Sequence, residues 1–253
     1  MARSYIARSA SLRRRWPRIT LSNLGSAYKL FIPSNYVHRP NDATDLLIHF
    51  HGDPQTYWNN VKYANLNVVV VTVNLGAVST PYQTPFQNDT TLFGDILTEA
   101  RTTLRNRPEF ADNMNFDKLG VSSFSAGWAA VREILKQPAY YNDIEAMVLA
   151  DTVYASFTSG SDHTPADSQM VDFRNYAQAA ENGTKTLTVS HSKVLTFTYC
   201  NTEETSDDLM AHVGVTPSAY NVTGLGGTQF YRRAITGNSV SYTHLTLPTI
   251  LRV

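Results

Sequence analysis

The chain has one cysteine among 253 residues, Cys200, which excludes an internal disulfide and any zinc site built from cysteines. It has no excess of either charge. Its 21 basic and 21 acidic residues give a formal net charge of zero, so nothing marks a surface for nucleic acid or an anionic membrane. No apolar run approaches the roughly 18 residues that a transmembrane helix needs. The opening MARSYIARSASLRRRWPRIT has six arginines, no acid, and no apolar middle region of the kind a secretory signal carries. Residues 1–26 are therefore expected to be a basic N-terminal extension, and a soluble, cytoplasmic protein is the simplest expectation. Without a secretion signal, the sequons at Asn88, Asn182 and Asn221 carry no expectation of glycosylation. With 42% hydrophobic and 17% charged residues, the rest of the chain can bury a sizeable core.

Apolar β-branched runs alternate with helical patterns from about residue 27. AYKLFIP and DLLIHFHG read as strands, and NVVVVTVNL is a strand with no helical period, buried on both faces. TTLFGDILTEARTTLRN reads as an amphipathic helix with Leu92, Ile96, Leu97, Ala100 and Leu104 on one face. KLGVSSF then gives a strand, AGWAAVREILK a helix, IEAMVLADTV a strand, and SQMVDFRNYAQAAENG a helix that Gly183 is placed to end. KTLTVSHS is a further strand, and ETSDDLMAHVG a helix closed by Gly214. Regular alternation of this kind implies an α/β fold, a mostly parallel sheet with helices on both faces. No repeat or low-complexity linker divides it, so one domain is expected over residues 27–239.

Ligands of open parallel sheets bind beyond the carboxyl ends of the strands. Ser123-Phe124-Ser125-Ala126-Gly127 falls at such an end, between the strand KLGVS and a helix. A serine on a sharp strand-to-helix turn needs small neighbours, because the backbone is strained and the two elements pack closely. Ala126 and Gly127 meet that need, while Ser123 replaces the first glycine of the G-x-S-x-G pattern. The helix start adds exposed N–H groups and a positive dipole end, which favour a developing oxyanion. The plainer role for Ser125 is a helix N-cap; the strand-turn-helix context favours a nucleophile.

With the elbow SFSAG and the strand HFHGDPQ ending in His51-Gly52, the chain resembles the serine α/β-hydrolases over roughly residues 27–238. FSAGWAAVREIL, VLADTVYASF, VSHSKV and the ETSDDL helix are similar, more narrowly, to a bacterial group of these enzymes. The resemblance implies a small-molecule ester, thioester or amide as substrate, an acyl-enzyme on Ser125, and no metal or organic cofactor. It implies an oxyanion hole from the Ala126 N–H and an N–H of Gly52 or Asp53, with His51 acting through its backbone. It also implies a carboxylate after the serine and a histidine after that. Two carboxylates fit. Glu204, beyond the strand TLTVSHS, is preferred, although it could equally face the dipole of a helix capped by Asn201 or Thr202. Asp151, at the end of AMVLAD, is the alternative. Trp58, Tyr82, Phe86 and Tyr154 stand near strand ends and suggest an apolar or aromatic acyl pocket.

The histidine is the difficulty. Only His244 lies in the C-terminal region where the family places its base. Yet VSYTHLTLPT, residues 240–249, matches the translation of a transposase sequencing adapter codon for codon. The expectation is that the natural frame was lost near Asn238, that residues 240–253 are a non-native tail, and that His244 is not the base. A tail with this alternating pattern could still pair with the sheet. His191 reaches the catalytic edge and is a second candidate base. His163 sits in a polar loop that could form part of a lid, and His38, His49 and His212 are read as structural.

Overall fold

The computed structural model describes residues 18–244 except 41, 161 and 224–228, and the His244 side chain is not among the described groups. Among these residues ten strands form one sheet: β1 (Arg18–Thr20), β2 (Tyr28–Phe31), β3 (Ala43–Phe50), β4 (Val69–Val73), β5 (Asn115–Ser125), β6 (Ile144–Thr152), β7 (Thr186–His191), β8 (Ser218–Thr223), β9 (Gln229–Thr236) and β10 (Ser239–His244). Their order is β1-β2-β4-β3-β5-β6-β7-β10-β9-β8. The run from β4 through β3, β5, β6 and β7 to β10 is parallel, and antiparallel pairs close both ends. This is the mostly parallel α/β sheet that the alternation of strands and helices implies.

Among the described residues seven helices join the strands: α1 (Pro54–Tyr63), α2 (Thr80–Asn88), α3 (Leu92–Arg105), α4 (Trp128–Leu135), α5 (Pro138–Asp143), α6 (Asp167–Glu181) and α7 (Thr202–His212). They cover both faces of the sheet. All five residues of β4 are buried, because alternate valines meet different layers. Val70 packs with Phe31 and with Trp58 and Val61 of α1. Val69, Val71 and Val73 share the main core with Ile96 and Leu104 of α3, Ala129 and Val131 of α4, and Phe173 of α6. In α3 the buried face is Phe93, Ile96, Ala100 and Leu104, so the stripe lies slightly round from the expected one and leaves Leu92 and Leu97 half-buried.

Described strands lie beyond both ends of the expected domain. The first of them, at Arg18–Thr20, falls inside the segment expected as an extension: β1 pairs with β2, and Leu21 is fully buried. At the other end, residues 239–243 lie between β7, parallel, and β9, antiparallel. Backbone hydrogen bonds make that pairing, and buried Ser241 and Thr243 fit it with short side chains.

Strand and helix touch closely behind Ser125. A Cβ on Gly127, the N-cap of α4, would lie 2.3 Å from the Phe50 carbonyl oxygen on β3. Only a residue without a side chain lets α4 reach the strand there. Gly127→Ala should therefore lower unfolding free energy by about 2–4 kcal/mol in a urea titration, through overpacking against backbone that cannot yield. Wild-type stability would show that α4 can move outward without cost.

Candidate active site

The turn carrying Ser125 is tight in the way its sequence requires. Ser125 ends β5 with φ +43°, left-handed for a residue that bears a Cβ, and α4 starts three residues later. Thr152 of β6 secures the turn by donating its hydroxyl to the Ser125 carbonyl at 2.7 Å. The same hydroxyl accepts from Ser123 Oγ at 3.2 Å, so Ser123, fully buried where the pattern has glycine, has its polar atom satisfied.

Ser125 lies on a cavity of about 400 Å³ lined also by Val78, Trp128, Tyr154, Gln169 and Tyr199. Among the described residues, none that lines it is charged. Burial, reinforced by the charge of Asp151 and by Tyr199, pushes the Tyr154 phenol beside Ser125 up to about 12. It therefore keeps its proton near neutrality and cannot accept one from the serine. Of the four aromatics expected to shape an acyl pocket, only Tyr154 lines the cavity. Trp58 stacks on Phe31 beneath α1, Phe86 packs edge-on against Phe50, and the buried Tyr82 bonds the His51 ring. The sequence could not separate these roles, because all four positions are simply aromatic near strand ends.

The His51-Gly52-Asp53 turn follows β3, with φ +74° at His51 and +99° at Gly52. Neither Gly52 nor Asp53 lines the cavity; a Cβ on Gly52 would stand 3.5 Å from the Phe124 ring, next to Ser125. His51 Nδ1 lies 3.0 Å from both the Gly76 carbonyl and the Tyr82 hydroxyl. The Asp53 carboxylate caps α1 by accepting from the Thr56 N–H at 2.8 Å. Among the described residues, the N–H groups of Gly52, Asp53 and Ala126 donate to no protein acceptor. Backbone donors left free at the carboxyl edge can meet a ligand anion.

The carboxylates differ sharply in their surroundings. Glu204 completes a capping box on α7: one oxygen accepts from the Asn201 N–H at 2.7 Å, and Asn201 accepts from the Glu203 and Glu204 N–H groups. Its other oxygen is 2.6 Å from His163 Nδ1, on the loop between β6 and α6. Asp151, buried at the end of β6 with φ +45°, accepts from the Ser192 N–H at 2.6 Å and the Thr202 hydroxyl at 3.0 Å. It is the carboxylate that acts electrostatically on Tyr154, which lines the same cavity as Ser125. His191 is fully buried with Nε2 2.9 Å from Thr243 Oγ1, and it does not line the cavity. The His244 backbone lies at the carboxyl end of β10, at the edge shared with Ser125, while its side chain lies outside the described groups. Among the described residues no group of three or more His, Cys, Asp or Glu side chains could hold a metal ion.

No protein-family model matches the chain, and no curated protein matches it in sequence. Solved structures similar to it include a thermostable esterase, at 15% identity and a TM-score of 0.41, covering 74% of this chain and 46% of that one. The chain thus spans less than half of that esterase. Another is the esterase Est2 of the Planctomycetes species Thermogutta terrifontis, at 15% identity and TM-score 0.44, covering 78% and 76%. A third is a glucuronoyl esterase from Solibacter usitatus, at 8% identity and TM-score 0.46, covering 88% and 74%.

One titration follows from burial beside the turn. Burial holds the His49 imidazole neutral down to about 3, against 6.5 ordinarily. The folded protein refuses a proton that the unfolded chain accepts, so this stability is fully present above about pH 6.5 and is lost as pH falls toward 3. The slope is at most about 1.4 kcal/mol per unit. His51, lowered by burial as well, acts in the same direction. Urea titrations at pH 7, 5.5 and 4.5 should show a steeper loss for the wild type than for His49→Gln. Equal slopes would mean that His49 takes up a proton freely in the folded state.

Proposed function

We propose that the protein is a serine hydrolase that cleaves a carboxylic ester, or a thioester or amide, through an acyl-enzyme on Ser125. The observation that carries this reading is a left-handed serine at a strand-to-helix turn, opening on an uncharged cavity with the free Ala126 N–H beside it. In this mechanism the Ser125 oxygen attacks the carbonyl carbon while its proton passes to an imidazole. The resulting oxyanion is held by the Ala126 N–H and an N–H of Gly52 or Asp53. The bond to the leaving group then breaks as that group takes the proton, and water repeats the sequence to release the acid. An uncharged lining with Val78, Trp128, Tyr154 and Tyr199 favours a neutral, apolar acyl group.

Asp151 is the better candidate for the orienting carboxylate, because Glu204 is engaged by its own helix cap and by His163. The imidazole is assigned to neither His191, which faces Thr243, nor His163, which faces Glu204. On the adapter reading of residues 240–249 it is also not His244; it belongs to the natural C-terminal sequence. Missing a triad member leaves about 10³–10⁴-fold catalysis over water from the oxyanion hole and binding.

A fluorophosphonate should therefore label Ser125 slowly in this chain, and about 10³-fold or more faster once the natural C-terminal sequence is restored. In the restored protein Ser125→Ala should abolish both labelling and hydrolysis of p-nitrophenyl butyrate. Asp151→Asn should cut turnover by about 10⁴ through the wrong imidazole tautomer, and Glu204→Gln by far less. Absence of Ser125 labelling in both forms would leave a non-catalytic binding protein on the same scaffold.

A further inference from the structure

Thr152 stands opposite Ser125 because the pairing of β5 with β6 slips by one residue at their carboxyl ends. Ser123 faces Leu149 and Phe124 faces Ala150, but Ser125 faces Thr152. Asp151, with φ +45°, is the residue left over between the last two pairs. An extra residue of this kind re-aims the side chains around it. Here it sends two neighbours to different partners. The Asp151 carboxylate meets the Ser192 N–H and the Thr202 hydroxyl, while the Thr152 side chain meets the turn.

At the turn the direction of each hydroxyl is fixed by counting protons. A threonine hydroxyl has one proton, and Thr152 donates its own to the Ser125 carbonyl at 2.7 Å. The Thr152 oxygen accepts in turn from Ser123 Oγ at 3.2 Å. Both side chains are buried, at 0% exposure for Ser123 and 2% for Thr152. A bond left unmade there would strand a polar group away from water. Ser123, standing where the pattern has glycine, thus supplies a donor to Thr152 and leaves the threonine proton for Ser125.

The Ser125 carbonyl and the Ala126 N–H are opposite ends of one planar trans peptide. A carbonyl held toward β6 turns the Ala126 N–H away from β6, on a residue that lines the cavity beside Ser125. The Gly127 N–H closes the same turn on the Phe124 carbonyl at 2.9 Å. Turns of either central-peptide orientation make that closing bond, so it does not by itself decide which way the Ser125–Ala126 peptide faces. A left-handed serine, moreover, persists only where its surroundings impose it. We propose that Thr152 is a positioning residue: its bond to the Ser125 carbonyl fixes the Ser125–Ala126 peptide, so that the Ala126 N–H is aimed for the oxyanion before substrate arrives. The inference rests on the hydrolase reading for its purpose.

The test compares Thr152→Val and Thr152→Ser with the wild type. Valine keeps the size and lacks the hydroxyl, whereas serine keeps the hydroxyl. Crystal structures read the direction of the Ser125 carbonyl. Titration reads the Kd of benzeneboronic acid, which forms a tetrahedral anion on a serine oxygen. Thr152→Val should turn the carbonyl from its wild-type direction and weaken the boronate about 10–100-fold. Thr152→Ser should leave the carbonyl in place and stay within about threefold of wild type. A merely structural threonine would lower the melting temperature of Thr152→Val and leave the boronate Kd alone. If Thr152→Val does not fold, Thr152→Cys, whose thiol is a weak donor, is read in its place and should weaken the boronate about tenfold. An unturned carbonyl, or a wild-type boronate Kd, in the folded variant would overturn the positioning role. Boronate binding that is absent from the wild type, or that survives Ser125→Ala, would sink the hydrolase reading, and the direction of the carbonyl would still decide whether Thr152 holds the peptide.

Discussion

Gly127 approaches the Phe50 carbonyl so closely that the strand and helix behind Ser125 are in backbone contact. With β3 and α4 pressed together at that point, the chain leaving β5 has almost no length in which to reverse. Ser125 is driven into the left-handed region, and Ala126, wedged beside it, stays buried with its N–H free. The same compression places the end of β3, with His51 and Gly52, beside Phe124. One missing methyl group thus sets the spacing of three elements that the proposed chemistry uses together.

Strain is concentrated along one edge of the sheet. His51, Ser125, Asp151 and Val153 all have positive φ, and all stand at the carboxyl ends of adjacent parallel strands. A β-branched residue such as Val153 at +73° is a real outlier. Hydrogen bonds hold these turns: Thr152 on the Ser125 carbonyl, Ser192 and Thr202 on Asp151, and Thr205 on the Val153 carbonyl at 2.8 Å. The amino ends of the same strands carry no such cluster among the described residues, although Asp42 precedes β3 with φ +55°.

The central elements were legible because each obeys one period. Four valines in a row can only be a strand covered on both faces, and SFSAG can only turn tightly with Ala126 and Gly127 after the serine. The outer elements were not legible. β1 has three residues, and its pairing depends on β2 rather than on its own pattern. Helix α1 has a cap-and-proline start in Asp53-Pro54, its one legible signal, whereas α2 carries an internal proline at Pro85 that argues against a helix. At the site, neither the acid nor the surroundings of His49 can be read from the sequence. Choosing between Asp151 and Glu204 takes knowledge of which carboxylate a helix cap has engaged. His49 reads as a strand residue until Ser122 and Tyr57, 73 and 65 positions apart from their partners, are seen against it.

The place of β10 has a consequence for the order in which the chain can assemble. β7 ends at His191, but its second edge is filled by residues 239–243, after α7 and the β8–β9 pair. A chain with this strand order holds the parallel layer open on one side until its last described strand is in place. Local pairs such as β8 with β9 can close early, whereas joining Leu187 to Ser239 must span all that lies between them. Parallel, long-range closure of this kind is slow, and the exposed margin of β7 is vulnerable to a strand from another molecule while it waits.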